Sequence, residues 1–212
     1  MRKFLISVAL LALVGSGCGG AKKESAADLR AQLLTAAEFS PAYKRTNVDV
    51  DNRTASPIGC AQLDQIDDKY LKTTEHTVEA GYQNGDDSTS TQFANETIYS
   101  FKSVDDANAY FDAEVDGFNA CKAFRTTDKE SGAESSYTTQ QYAFPKVHDE
   151  SYASSITING VVNGQAQTVA GPLVIVRKEK KFLGMLFFHV GAQPGLSAGE
   201  VEAIVRKAAD KI

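Results

Sequence analysis

The 212-residue chain is 42% hydrophobic, a content typical of a globular domain with a core of its own. Its formal charge is −5, from 22 basic and 27 acidic residues, which argues against nucleic-acid binding because that activity needs a basic face. The length suits a single domain.

The first residues have the pattern of a secretory signal peptide. Met1-Arg2-Lys3 is basic, residues 4–14 are largely apolar, and residues 15–20 are small. The apolar stretch is too short for a transmembrane helix, which needs about 20 apolar residues. We therefore expect residues 1–17 to direct export and then to be removed.

Cys18 lies directly after the predicted signal peptide. The segment Ser16-Gly17-Cys18 resembles the lipobox of bacterial lipoproteins, in which the cysteine sulfur carries a diacylglyceryl group and the cysteine becomes the mature N-terminus. The resemblance implies a lipid anchor in the cell membrane, on its extracytoplasmic face, through acyl chains on Cys18. Residues 18–25 would be the lipidated terminus and flexible tether, and residues 26–212 the exported domain. The alternative is ordinary secretion, with Cys18 removed or left as a free thiol.

The first half of the domain contains one predicted helix, a shorter helical turn and two predicted strands. Ser25 and Asp28 form a capping signal for a helix over residues 26–39, and residues 60–70 predict a shorter helical turn. Residues 75–82 predict a strand, and a second strand ends at residue 101. The turn Asn84-Gly85-Asp86-Asp87 between them is typical of a hairpin.

The second half begins and ends with a predicted helix. Ser103 caps a helix over residues 104–122, and Ser197 with Glu200 forms a capping box for a helix over residues 198–212. Between them, strands are predicted over residues 136–144, 151–158, 168–178 and 181–190, with turns at Asn159-Gly160 and Asn163-Gly164. The nearly continuous apolar runs of the last two strands predict a hairpin at the centre of the sheet.

Short turns between successive strands, with helices between groups of strands, predict an α+β fold. We expect a single domain in which about three helices pack on a twisted antiparallel β-sheet. A parallel, doubly wound sheet would need a helix after nearly every strand, and the sequence does not supply one.

Cys60 and Cys121 remain once Cys18 is lipidated. Two cysteines in an exported domain predict a disulfide, with a Cα–Cα distance of about 4.4–6.8 Å. Closing a loop of about 62 residues would stabilise the fold by roughly 4 kcal/mol, because the cross-link lowers the conformational entropy of the unfolded chain. The alternatives are two buried thiols or a metal site, although no histidine pair accompanies the cysteines as a zinc site would require.

The sequence lacks the common catalytic patterns. His76, His148 and His189 are isolated from one another, and no Gly-x-Ser-x-Gly, His-Glu-x-x-His or Cys-x-x-Cys motif is present. Asp86-Asp87 is interpreted as a turn and Asp105-Asp106 as the start of a helix. These observations predict a non-enzymatic protein with no catalytic residue, no metal and no cofactor.

The aromatic residues of the strands allow two interpretations. They either pack in the core or line a cleft that accepts a small or lipidic ligand. The residues concerned are Tyr82, Phe93, Tyr99, Tyr137, Tyr142, Phe144 and Tyr152.

Several short motifs in order resemble the PknH-type extracellular sensor domain of actinobacterial receptor kinases and free-standing lipoproteins. They are Leu33-Leu34 before Glu38-Phe39, then Cys60, Phe101 to Ala107 before Phe111, Phe118-Asn119-Ala120-Cys121, Val174 to Arg177 and a final helix. The resemblance implies a twisted antiparallel sheet with helices against it, a ligand-binding cleft and no catalysis.

We therefore expect a membrane-anchored, non-enzymatic sensor or ligand-binding lipoprotein. Its predicted partners are the bilayer, through Cys18, and a small-molecule or lipid ligand. The alternative is a structural or assembly lipoprotein that binds a protein partner in the cell envelope. A hydrolase with scattered active-site residues is a third hypothesis, which requires a histidine within about 3.2 Å of Ser, Asp or Glu inside a cleft.

Overall fold

The structure, a computed structural model, describes residues 24–51, 59–85, 91–127, 134–162, 165–192 and 194–212. Cys18, the signal peptide and the predicted turns at Asp86-Asp87 and Asn163-Gly164 lie outside these residues. The helices are α1 (Ala26–Arg30), α2 (Ala36–Phe39), α3 (Ala61–Tyr70), α4 (Val104–Ala120) and α5 (Ala198–Lys211), and a 3-10 turn spans Leu71–Thr73. No helix in the described part of the chain is long and apolar enough to cross a membrane.

The strands in the described part of the chain are β1 (Tyr43–Val50), β2 (Thr74–Asn84), β3 (Gln92–Phe101), β4 (Ala123–Thr127), β5 (Glu134–Gln141), β6 (Glu150–Val162), β7 (Gln165–Lys178) and β8 (Lys181–Val190). They form one antiparallel sheet in the order β1-β2-β3-β8-β7-β6-β5-β4. The predicted α+β fold with a single antiparallel sheet is therefore confirmed, and the predicted central hairpin is β7–β8.

Helices cover both faces of the sheet, so that the domain has two hydrophobic cores. On one face, α1, α2 and α5 pack on the strands around Leu29, Tyr82, Leu183 and Val205, and we call this the α5-side core. On the other face, α3 and α4 pack around Leu63, Tyr110, Phe118 and Phe182, and we call this the α4-side core. The alternation of strand side chains between the two faces allows one sheet to serve both cores.

The prediction of about three helices is wrong, because the described residues contain five. Residues 26–39 form two short helices rather than one, and residues 60–70 form a full helix. The first helix ends early because the Leu34 N–H donates to the carboxylate of Glu96, 3.0 Å away, instead of to the preceding helical turn. Thr35 then caps α2 through a capping box with Glu38.

Two strands, β1 and β4, were not predicted. Both lie at the edges of the sheet, and most of their side chains are partly or fully exposed. An edge strand packs against little core and so carries a weak hydrophobic alternation. The polar segments Lys44-Arg45-Thr46-Asn47 and Arg125-Thr126-Thr127 consequently lack the pattern by which the other strands are recognised.

The predicted turn at Asn159-Gly160 is wrong. Both residues continue β6, where Asn159 is opposite Thr168 and Gly160 is opposite Gln167. Asn-Gly is compatible with a turn locally, but the long pairing between β6 and β7 keeps this segment extended. Gly160 also allows a close approach of β5, since a Cβ there would lie 2.8 Å from Ser135 Oγ.

Cys60 and Cys121 form the predicted disulfide, with a Cα–Cα distance of 6.2 Å. The bond joins the residue before α3 to the residue that caps the end of α4. Both cysteines are almost fully buried, at 7% and 2% exposure, in the α4-side core. The bond therefore joins the start of α3 to the end of α4 on one face of the sheet.

Glu96 is a fully buried carboxyl group in the α5-side half of the molecule. Its Oε2 lies 3.0 Å from the Leu34 backbone nitrogen and 2.6 Å from Tyr82 Oη, which is also 2.7 Å from the Leu34 carbonyl oxygen. Its Oε1 has no hydrogen-bond partner among the described residues. Burial raises the pKa of Glu96 above the ordinary value, because desolvation outweighs the hydrogen bonds to the charged form.

Glu96→Gln is therefore expected to change how stability depends on pH. Because the pKa of Glu96 is raised in the folded state, its contribution to stability is fully present below pH 4.5 and is lost as the pH rises through the folded-state pKa. As the pH rises above about 4.5, the wild type should lose unfolding free energy relative to the variant, as measured by urea denaturation at a series of pH values. Two parallel pH profiles would contradict the raised pKa, since all other titrating groups are shared.

Candidate ligand-binding cleft

A cleft of about 180 Å³ opens where α4 crosses β3, β8 and β7. Tyr110, Glu114 and Phe118 of α4 form one wall. They occur four residues apart, a spacing that places them on one face of a helix. The floor comes from Asn95, Thr97 and Tyr99 of β3, together with Leu173, Ile175, Phe182, Gly184 and Leu186 of the central hairpin.

Alternation along β3 separates the cleft from the opposite core. Asn95, Thr97 and Tyr99 face α4 and are half-buried, whereas Ala94, Glu96 and Ile98 point to the α5 side and are buried. Successive side chains of a strand point to opposite faces, so that one strand supplies both a core and a site. The polar residues of the cleft floor are thus held by a strand whose other face is fully packed.

Three aromatic rings that line the cleft pack against one another. The centroid of Tyr110 lies 4.8 Å from that of Phe182 in an edge-to-face arrangement and 5.4 Å from that of Tyr99. Tyr99 and Phe182 are 5.8 Å apart. Aromatic pairs at these distances attract each other beyond the area that they bury. Mutual contact therefore fixes the rings before any ligand binds.

Hydrogen bonds between side chains organise the polar side of the cleft. Asn95 Nδ2 donates to Glu79 Oε1 at 2.5 Å, and Thr97 Oγ1 donates to Asn95 Oδ1 at 2.9 Å. Glu79 belongs to β2, where it is paired with Thr97 across the strands. The chain of bonds orients the Asn95 amide and places the Glu79 carboxylate beside it on β2.

The apolar floor continues beyond the region that α4 covers. Phe93, Leu186 and Phe188 carry on the α4-facing side of β3 and β8, and all three are only half-buried. Ile156 and Ile158 extend the same face on β6. The cleft thus opens onto a partly exposed apolar sheet surface, which can accommodate an extended apolar group.

Other depressions fit a ligand less well. A groove of about 600 Å³ between α3 and α4 is wide and shallow, and exposed residues such as Gln62, Gln65 and Asp112 form much of its lining. A cavity of about 150 Å³ lies near Tyr43, Tyr142 and His189 and is bounded by Gly195 and Leu196 of the loop before α5. The cleft under α4 combines packed aromatic rings with oriented polar groups.

None of the three histidines lines the cleft under α4. His76 Nδ1 lies 3.4 Å from Asp51, and His148 Nε2 lies 3.1 Å from an Asp210 side chain that is 75% exposed, both outside the cleft. The ring of His189 faces Gly195, and its Nδ1 has no partner in the described part of the chain. No group of His, Cys, Asp and Glu among the described residues could hold a metal ion.

The structure distributes the predicted aromatic residues among different sites. Tyr99 lines the cleft, Phe93 continues its floor, and Tyr82 is buried in the α5-side core. Sequence patterns did not identify Asn95, Thr97 or Glu114, which lie among the polar residues of strand and helix. A sequence pattern that places Asn95 and Thr97 beside Tyr99 was nevertheless present. The polar residues at positions 95 and 97 alternate with apolar residues at 94 and 98, so that they share a strand face with Tyr99.

Comparisons with known proteins concern the fold. No protein-family model matches the sequence, and no curated protein is similar to it in sequence. The structure is similar to the extracellular domain of PknH from Mycobacterium tuberculosis, with a TM-score of 0.62 over 89% of this chain and 98% of that domain. The chain has the fold of the PknH extracellular domain. The sequence identity to that domain is 14%, so the similarity concerns the fold alone.

The resemblance to PknH-type domains that the sequence motifs indicated is confirmed for the fold. Two further structures superpose more loosely, with TM-scores of 0.42 and 0.23. They are an uncharacterized protein from Mycobacterium smegmatis (Rv0999 ortholog), at 8% identity over 82% of this chain and 91% of that one, and a STAR-related lipid transfer protein from Xanthomonas axonopodis, at 12% identity over 62% and 87%. A site in this PknH-type fold must therefore be inferred from the cleft itself.

Proposed function

We propose that the protein is a non-enzymatic, extracytoplasmic sensor or ligand-binding lipoprotein whose ligand occupies the cleft under α4. The observation that carries the proposal is a preformed concave site with aromatic walls and a few oriented polar groups, which is the usual composition of a small-molecule site. The fold shared with the extracellular domain of PknH supports an extracytoplasmic location.

Gly184→Val is expected to block ligand binding in the cleft. A Cβ at Gly184 would make an ordinary contact, 3.4 Å from Phe182 Cε1, and valine suits a strand, so the variant should fold. Its methyl groups would occupy the cleft floor. Envelope lipids and metabolites that raise the melting temperature of the wild type should lose most of that effect in the variant, with Kd raised at least about tenfold.

Thr138→Val is the control, because it also introduces valine into a strand, at an exposed position outside the cleft. Ligands that stabilise Gly184→Val as strongly as the wild type would place binding elsewhere and contradict the proposed site. The absence of any stabilising compound for the wild type across a broad envelope extract would contradict the proposed function.

Cys18 is proposed as the lipid anchor of this domain. The first described residue, Glu24, accepts hydrogen bonds from Lys181 Nζ of β8 and from Gln32 Nε2 of the segment after α1, each at 2.8 Å. The six residues from 18 to 23 reach at most about 20 Å, so lipidation at Cys18 would keep the domain close to the bilayer.

Cys18→Ala should move the protein from the membrane fraction to the soluble exported fraction. Two acyl chains bind a protein stably to a bilayer, whereas a polypeptide without them has no anchor of this kind. Mass spectrometry of the native product should find acyl chains on an N-terminal Cys18. An intact Met1 leader, or an unmodified thiol at Cys18, would contradict the proposed anchoring.

A further inference from the structure

The N-terminus of the described chain is attached to one end of the β-sheet. Glu24 Oε1 accepts hydrogen bonds from Lys181 Nζ and Gln32 Nε2, and Lys181 Nζ also donates to Gln32 Oε1, at 3.0 Å. The side chains of Glu24 and Lys181 are only 17% and 18% exposed, so salt screens their attraction less than it screens a surface ion pair. Lys181 is the first residue of β8 and is opposite Ser100 of β3. The chain therefore enters the fold where β3 ends and β8 begins.

Three segments form the surface around this point, and we call them the tether end of the domain. They are the β7–β8 turn at residues 178–181, residues 71–75 at the start of β2, and residues 101–104 between β3 and α4. The Phe101 N–H donates to the Lys180 carbonyl oxygen at 2.9 Å, and the Lys102 N–H donates to the Thr73 carbonyl oxygen at 3.1 Å. These bonds join the three segments into one continuous surface.

The opposite end of the domain is well separated from the tether end. The ten residues of β3 span about 30 Å, and β8, β7 and β6 run beside it between the same two ends. Residues 18–23, by contrast, reach at most about 20 Å. A lipidated Cys18 would therefore keep the tether end closer to the bilayer than the length of the sheet.

The tether end presents side chains that suit the surface of a bilayer. Val104 is 46% exposed, and large hydrophobic side chains with such exposure are few in the described part of the chain. Lys72 and Lys102 are exposed at the same end, and lysine can place its apolar stem in the interface while its ammonium group stays hydrated. Asp105 and Glu179 are also exposed there, so the surface has no excess of positive charge. We therefore expect contact with zwitterionic as well as anionic lipid.

We infer that the anchored domain stands with its tether end against the bilayer. The inference rests on the proposed lipidation of Cys18 and adds the orientation of the domain. Phe93 and Phe188, which belong to the open part of the cleft floor, lie at the opposite end, because Phe93 is the second residue of β3 and Phe188 is paired with it. The cleft then opens away from the membrane that holds the protein. Its ligand reaches it from the aqueous side rather than from that bilayer.

Two exposed valines at opposite ends of the domain test the orientation. Val104→Cys and Val161→Cys make the same change at positions that are 46% and 52% exposed, and Val161 lies near the far end of β6. Each lipidated variant is labelled with a donor fluorophore on the new thiol and placed in phosphatidylcholine nanodiscs that contain an acceptor-labelled lipid. Energy transfer should place position 104 closer to the bilayer than position 161 by at least about 20 Å.

Two outcomes would overturn the inferred orientation. Equal distances from the two positions, or a shorter distance from position 161, would show that the tether end does not face the bilayer. Nanodiscs that also contain anionic phosphatidylglycerol test the role of the tether. The difference between the positions should already be present in phosphatidylcholine alone, and a difference that appears only with the anionic lipid would mean that lysine charge, not the tether, orients the domain.

Cys18→Ala distinguishes a failure of the orientation from a failure of the anchor. The labelled proteins should float with the nanodiscs in a density gradient, and the same proteins with Cys18→Ala should not. If the labelled proteins float through Cys18 and the two distances are equal, the anchor is supported and the orientation is wrong. If Cys18→Ala floats equally well, the proposed anchor is wrong and the inference fails with it.

Discussion

The double variant Cys60→Ser, Cys121→Ser is expected to lose about 4 kcal/mol of unfolding free energy. The disulfide closes a loop with a sequence separation of 61 residues, and releasing such a loop increases the entropy of the unfolded chain by roughly this amount at 25 °C. For a domain of this size, the melting temperature should fall by about 8–16 °C. Differential scanning calorimetry of the wild type and the variant under the same buffer conditions measures the change.

The same variant should also make the α4 wall of the cleft less stable. The disulfide attaches the end of α4 to the start of α3, and α4 supplies Tyr110, Glu114 and Phe118 to the cleft wall. Wild-type protein whose disulfide has been reduced is the control, since it loses the cross-link without a change of side-chain volume. The reduced wild type and the double variant should melt within a few degrees of each other. A double variant as stable as the oxidised wild type would show that the bond adds nothing to stability.

Gly171→Ala is expected to destabilise the domain by about 3 kcal/mol or more. A Cβ at position 171 would overlap the backbone carbonyl oxygen of Phe187, which cannot move as a flexible side chain does. The β7–β8 pairing also lacks a partner for Gly171 and Pro172, between the pairs Ala170–His189 and Leu173–Leu186. An alanine at this interruption must push the two central strands apart. Urea denaturation followed by circular dichroism should show the loss as a lower transition midpoint.

Gly199→Ala is the matched control, with the same chemical change at a position where a Cβ would meet no atom within 4 Å. Gly199 lies in the first turn of α5, so alanine should raise the stability by roughly 0.5 kcal/mol through lower entropy of the unfolded chain. The two variants should therefore shift the midpoint in opposite directions. Similar midpoints for both variants would contradict the close approach of β7 and β8 at Gly171.

The elements with strong periodicity could be predicted from the sequence, and those at the edges could not. The helix begun by Ser103 and the last helix, capped by Ser197 and Glu200, follow their capping residues and apolar stripes closely. The central hairpin follows its apolar runs. By contrast, β1 and β4 have too little core contact to show alternation, and the break at Leu34 depends on a carboxyl group 62 residues away.

The candidate site was less predictable than the fold. Tyr99 was recognised as a residue that either packs or lines a cleft, but its neighbours Asn95 and Thr97 are ordinary polar strand residues in the sequence. Glu114 is likewise a common polar position of an amphipathic helix. These residues line one cleft because α4 crosses β3 at that place, which is a consequence of packing rather than of local pattern.

The sequence by itself determined the α+β class, the antiparallel central hairpin and the pairing of Cys60 with Cys121. It also led to the hypothesis of export and lipidation. Each depends on local periodicity, on a short motif or on counting cysteines. Tertiary structure alone decided which side chains of β3 and α4 line a common cleft and where the first helix ends. Those features depend on contacts between residues far apart in the chain, and the free energy of such contacts cannot be read from neighbouring residues.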